Sequence, residues 1–165
     1  MKEPLVTVLL TSYNHARYLK EAIESVLQQT FQDYELVICD DASEDASWEI
    51  IESYNDPRIV KIRHKYNYGY QLIDTLDTFR GKYVAIHHSD DSWEPDKLEK
   101  QVGFLEMHPE YAACFTRVKY IDENSENYEL PIGHAYRNIF DGDRMQVREK
   151  ATMKALELLK ENITK

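Results

Sequence analysis

The chain has 165 residues, of which 42% are apolar and 30% charged; this supports one domain with a real core and argues against disorder. Its formal net charge of -10 at pH 7 repels nucleic acid and anionic membrane, which excludes a general nucleic-acid binder. No Cys/His spacing resembles a zinc site, no apolar run approaches a membrane span, and the start Met1-Lys2-Glu3-Pro4 lacks a signal-peptide core.

In chain order, Leu5 to Leu10 reads as a buried strand, and Thr11-Ser12-Tyr13-Asn14 as a polar turn with Asn14 as helix N-cap. Tyr18, Leu19, Ala22, Ile23, Val26 and Leu27 have helical spacing. Tyr34 to Cys39 is a second buried strand, ending at the carboxylate-rich turn Asp40 to Asp45. Trp48, Ile51 and Tyr54 mark a short helix that Asn55-Asp56-Pro57 breaks. Arg58 to Arg63 alternates like a strand near a sheet edge. After the loop Asn67-Tyr68-Gly69, a third helix carries Leu72, Ile73, Leu76 and Phe79, with Gly81 as its C-terminal cap.

Tyr83 to Ile86 is a buried strand that stops at two adjacent carboxylates, Asp90 and Asp91, before Pro95 opens another amphipathic helix. His87 and His88 are adjacent on that strand and point to opposite faces, so one packs in the core and the other lies near the cleft. Trp93 packs under the helix start, and Lys97, Lys100 and Arg117 belong to solvated faces. The helix carries Leu98, Val102 and Leu105 and ends near His108-Pro109; Tyr111 to Ile121 reads as a further strand. Residues 122–143 form a long polar loop, followed by a last amphipathic helix from about Arg144 to Asn162. Cys39 and Cys114 sit in apolar runs and read as buried free thiols of a reducing compartment. The expected location is the cytoplasm, with peripheral docking at the inner face of a membrane through a segment outside this chain.

Strands alternating with helices imply an α/β fold, a mostly parallel central sheet flanked by helices on both faces. In such sheets ligands bind beyond the carboxyl ends of the strands. Three polar turns fall there: Thr11 to Asn14, Asp40-Asp41 and Ser89 to Ser92. Asp41 and Asp91 are therefore expected to face one crevice. Paired carboxylates repel, and a divalent cation carrying phosphate oxygens relieves that repulsion. Capping and turn-filling are the plainer uses of the same residues.

The pieces Val6 to Asn14, Ala22 to Thr30, Tyr34 to Asp45, Asn67-Tyr68-Gly69, Gly81 to Val84, Asp90-Asp91 and Trp93 to Leu98 together resemble the nucleotide-sugar-binding half of a glycosyltransferase of family 2, with the Rossmann-like GT-A fold. The match runs from Val6 to about Pro109. The resemblance implies a donor-binding α/β domain over residues 1–121 and the start of an acceptor-side region over 122–165. It implies that Thr11, Tyr13, Asp41 and Asp90 contact the nucleotide sugar, with Asp41 on the uracil edge and Asp90 near the ribose, and that Asp91 binds Mn2+ or Mg2+. The implied reaction is metal-dependent and inverting, from a nucleoside-diphosphate sugar, a UDP-sugar, to a glycan or lipid-linked acceptor. A homo-oligomer is left open.

The sequence departs from the family pattern twice. The general base sits in an acidic motif that has no counterpart before Lys165, so no catalytic residue is assigned, and a non-catalytic binding module is the alternative reading. Gln71-Leu72-Ile73 stands where relatives carry an Ala-Arg-Asn-like signature, so the basic contact to the nucleotide is either lost or supplied by Arg63 or Lys65. A nucleotidyltransferase would need a Gly-rich basic loop after the first strand; Thr-Ser-Tyr-Asn-His stands there instead.

Overall fold

The structure, a computed structural model, describes residues 3–67, 69, 75–119, 121 and 126. Four parallel strands, β1 (Val6–Ser12), β2 (Tyr34–Asp40), β3 (Ile59–Arg63) and β4 (Tyr83–His88), form one sheet in the order β3-β2-β1-β4. β2 is buried along its whole length, as its near-continuous apolar run requires of a parallel strand covered on both faces. Three helices follow β1, β2 and β4: α1 (Ala16–Leu27), α2 (Ser47–Ser53) and α3 (Lys97–Met107).

Leu19, Ala22, Ile23 and Val26 of α1, Ile51 of α2, and Leu98 and Val102 of α3 pack in one cluster with Val8, Leu10, Leu36 and Ile38 of the sheet. Each fully buried Leu or Ile contributes roughly 1.5–3 kcal/mol. On the opposite face Leu9, Val37 and Cys39 form a smaller cluster with Val60, Ile62 and Phe79. Gln29, buried just past α1, joins two elements. Its Nε2 donates to the carbonyls of Ser25 (3.0 Å) and Glu94 (2.8 Å), and its Oε1 accepts the Leu98 N–H at 2.9 Å. The Thr30 N–H donates to the Pro95 carbonyl at 2.8 Å. The Gln29-Thr30 pair thus fixes the chain between the β4 turn and α3.

Several local expectations are corrected. Thr11 and Ser12 continue β1 rather than forming its turn. His15, not Asn14, occupies the α1 cap position, and its side chain makes no cap bond; Asn14 instead takes a positive φ of 53°. α3 begins two residues after Pro95, with Asp96 at its cap. Gly81 is not a helix cap: a Cβ there would lie 2.3 Å from the Thr7 backbone nitrogen, so the glycine permits close passage beside β1. Within the expected third helix Thr75 is helical and Leu76–Thr78 form a 3-10 turn; residues 70–74 lie outside the described residues. Residues 111–119 carry no strand, because an extended apolar run becomes a strand only where a ladder receives it. Ile121, at the end of the expected run, makes a β-bridge, and Phe115 is 93% exposed.

Glu35, read as part of an apolar strand, is a buried carboxylate. It accepts from Thr7 Oγ1 at 2.7 Å and from the Arg80 N–H (2.8 Å) and Nε (2.7 Å). Burial pushes its pKa up, but the Thr7 hydroxyl and Arg80 outweigh it and hold the carboxyl below the ordinary value.

The chain divides after Phe115 into two compact units. The strands, helices and apolar clusters above belong to the first; the 122–143 loop, Glu126 apart, and the last helix lie outside the described residues. No described helix is long and apolar enough to cross a membrane.

Candidate functional site

The parallel register brings the carboxyl ends of β1, β2 and β4 level: Thr11 stands opposite Cys39 on one side and His88 on the other, and Ser12 opposite Asp40. β1 lies between the other two, so the turns after β2 and β4 are about 10 Å apart across the sheet.

On the β2 side the turns are locked together. Asp40 is wholly buried; it accepts from the Ser43 N–H (3.0 Å) and hydroxyl, and Arg63 Nε lies 3.6 Å away. Ser43 Oγ in turn accepts the Asn14 N–H at 2.9 Å, and Asn14 Oδ1 accepts the Glu44 N–H at 2.8 Å. Asp45 caps two helices at once, taking the Ala16 N–H of α1 and the Ser47 N–H of α2, each at 2.9 Å. Burial raises its pKa, yet the Ser47 hydroxyl and those N–H groups prevail and hold it below the ordinary value. Ala42, between Asp41 and Ser43, is held at φ 61°, a left-handed conformation that strains any residue with a Cβ.

Asp41 is 1% exposed. Its Oδ1 lies 3.0 Å from Nδ1 of His64 and its Oδ2 accepts the Gly69 N–H at 3.0 Å. The other ring nitrogen of His64 faces Cys39 Sγ at 3.5 Å.

The β4 side is built differently. The Asp91 N–H closes a turn on the His88 carbonyl at 3.1 Å, but the carboxylates of Asp90 and Asp91 are exposed and accept no hydrogen bond among the described residues. The turn is held from beneath. His15 Nδ1 lies 2.8 Å from Ser89 Oγ, and His88 Nδ1 lies 3.2 Å from Thr11 Oγ1. His87 points to the core, its ring centroid 4.4 Å from that of Trp93. Burial pushes its pKa down to about 4, so it is neutral at pH 7. Its Nε2 donates to the Ala22 carbonyl at 3.2 Å, while Nδ1 has no partner among the described residues.

Among the described residues no three His, Cys, Asp or Glu side chains could together hold a metal ion. Two adjacent, unpaired carboxylates are still a fitting donor set for Mn2+ or Mg2+. Such hard ions are held by one or two carboxylates when substrate phosphates and waters complete the shell.

Of the residues expected in the site, Thr11, Asp41, Asp90 and Asp91 lie at adjacent strand ends, and Tyr13, 40% exposed, sits on the β1–α1 turn. Arg63 is committed to Asp40 and to the Ser43 carbonyl at 3.1 Å, with its guanidinium 5.3 Å from the Trp48 ring centroid. Lys65 lies over Tyr66, 5.1 Å from its ring centroid. Lys97 is not freely solvated: its Nζ stands 4.2 Å from the Trp93 ring centroid, and burial lowers its pKa. Of the two adjacent histidines, His87 is buried, as expected of one of them, and His88 is exposed at the end of β4. His15, Ser43 and His64 were not expected in the site. Nothing local distinguishes them, since each meets a partner 23 to 74 residues away.

Residues 7–155 match the model of glycosyl transferase family 2. The chain is 36% identical over 104 residues to WfaP of Escherichia coli, a UDP-Glc:alpha-D-GlcNAc-diphosphoundecaprenol beta-1,3-glucosyltransferase, covering 62% of this chain and 41% of WfaP. Staphylococcus aureus TarS, solved with UDP, superposes with a TM-score of 0.59 at 26% identity over 63% of this chain and 32% of TarS. The mannosyltransferase PcManGT of Pyrobaculum calidifontis, solved with GDP-Man and Mn2+, gives 0.58 at 25% identity over 64% and 33%. The chain spans less than half the length of the curated relatives it matches. By sequence and by its parallel, Rossmann-like sheet, the chain belongs to glycosyltransferase family 2 and has the GT-A fold.

Proposed function

We propose that this chain is the donor-binding half of an inverting, metal-dependent glycosyltransferase that uses a UDP-sugar and acts on a glycan or lipid-linked acceptor. The observation that carries the reading is the pair Asp90-Asp91: exposed and unpaired at the end of β4, one strand away from the tightly bonded turn that holds Asp41. Asp41 and Thr11 would meet the nucleoside, with Tyr13 beside them, and Asp90 the ribose. Asp91 would hold Mn2+ or Mg2+, which when bound supplies Lewis-acid stabilisation of the departing diphosphate. TarS with UDP and WfaP with its UDP-Glc donor and diphosphoundecaprenol-linked acceptor support the uridine and lipid-linked parts of the reading; PcManGT with Mn2+ supports the ion. The acceptor hydroxyl must lose its proton as it attacks, which needs a base. No residue at the described strand ends is assigned that task.

Calorimetric titration of the chain with UDP, with Mn2+ and then with chelator, tests the binding half of this proposal. Binding that disappears with chelator supports it, and equal binding without metal sinks the metal assignment. A sugar-transfer assay separates enzyme from module, since turnover by this chain alone would show that the base is within it.

A further inference from the structure

We propose that His64 is a positioning residue for base recognition: it holds the Asp41 carboxylate in the orientation in which that group accepts a nucleobase N–H. This inference rests on the reading of Asp41 as the base contact. His64 directly follows β3, and its own N–H donates to the Asp40 carbonyl at 2.8 Å, which extends the β2–β3 ladder by one residue. The backbone of His64 is therefore fixed by the sheet. Its side chain is 8% exposed and runs back across the end of β2, between Cys39 and Asp41.

A carboxylate can only accept, so Nδ1 carries the proton in the 3.0 Å contact with Asp41 Oδ1. Nε2 faces the fully buried Cys39 thiol at 3.5 Å. The ring plane is thus set from both sides. The Gly69 N–H fixes the second oxygen, Oδ2. Among the described residues two of the four lone-pair directions of the carboxylate are used, and the remaining ones have acceptor capacity in a direction the two donors determine. Without His64 the carboxylate would be buried with a single donor. It would then turn, or take up a proton and become a donor itself, and either change removes the acceptor that selects a base N–H.

A merely structural His64 would affect stability alone. The test reads selectivity instead, by titrating the full 165-residue chain in Mn2+ with UDP and with N3-methyluridine diphosphate, which lacks the N3–H. Asn places its amide N–H near the position of imidazole Nδ1, whereas Gln places it near Nε2. The wild type is expected to prefer UDP by more than about tenfold, the strength of a hydrogen bond to a charged group. His64→Ala and His64→Gln should bring the ratio close to one, and His64→Asn should restore most of it. If His64→Ala does not fold, the Asn and Gln variants carry the comparison. Wild-type selectivity retained in the Ala and Gln variants but lost in Asp41→Ala overturns the role of His64 alone. A wild type that binds both nucleotides equally overturns the base reading of Asp41, and the inference with it.

Discussion

Asp40 and Asp91 are both aspartates at the carboxyl ends of parallel strands, separated by one strand, and they are handled in opposite ways. Asp40 is wholly buried, accepts two hydrogen bonds from Ser43 and faces the Arg63 guanidinium. Asp91 is exposed and its carboxylate meets no partner among the described residues. The β2 side of the cleft is a finished structure, cross-linked to the β1–α1 turn through Ser43, Asn14 and Asp45. The β4 side is an open one, firm underneath and unsatisfied on top. On the proposed reading the finished side would meet the neutral base, whereas the open side, which would meet the ribose and the diphosphate, is completed only when a cation arrives.

The largest expected effect is on the finished side. Asp40→Ala removes the acceptor of the Ser43 groups and leaves Arg63 without its anion, and should lower unfolding stability by about 3 kcal/mol; urea denaturation measures it, and a change within experimental error would show that the lock is not structural. Next comes the foundation of the open side. His87 has a pKa of about 4 against an ordinary 6.5, so the unfolded chain binds the proton that the folded chain refuses. Stability should therefore fall as the pH drops from 6.5 towards 4, by about 3 kcal/mol from this group. Thermal melts across that range, repeated with His87→Gln, should show the slope flattened in the variant.

Asp91→Asn should do the reverse of Asp40→Ala: UDP affinity in Mn2+ falls more than about tenfold, while the melting temperature is unchanged. A variant that melts earlier but binds as well would erase the contrast between the two sides. The smallest effect concerns backbone strain on the finished side. Ala42→Gly relieves a left-handed conformation and should raise stability by about 0.5–1 kcal/mol, visible as a higher melting temperature.

Much of this was legible in the residues. β1, β2 and β4 announce themselves as apolar runs and β3 by its alternation, and the convergence of three polar turns follows from parallel connectivity alone. What was not legible is pairing at a distance. Glu35 sits in an apolar run, and only Thr7, 28 residues earlier, and Arg80, 45 residues later, explain how it can be buried. Gly81 carries the same local signal as a helix cap, but its cause is the backbone of β1 beside it. The run from Tyr111 looks like a strand because its composition is that of one; whether it becomes one depends on a neighbour that the run itself does not contain. In the site, Asp90-Asp91 could be found as a motif, whereas His64 could not, since its importance lies in where β3 ends relative to Asp41.

The contrast between the two sides is tested most directly by comparing uridine with UDP, each titrated into the chain with Mn2+ and with chelator. Uridine should bind weakly and equally in both conditions, and the additional affinity of UDP should appear only with Mn2+ and vanish in Asp91→Asn, leaving uridine binding unchanged. UDP that binds more tightly than uridine by the same factor in chelator would contradict the account, because the protein alone would then be holding the diphosphate.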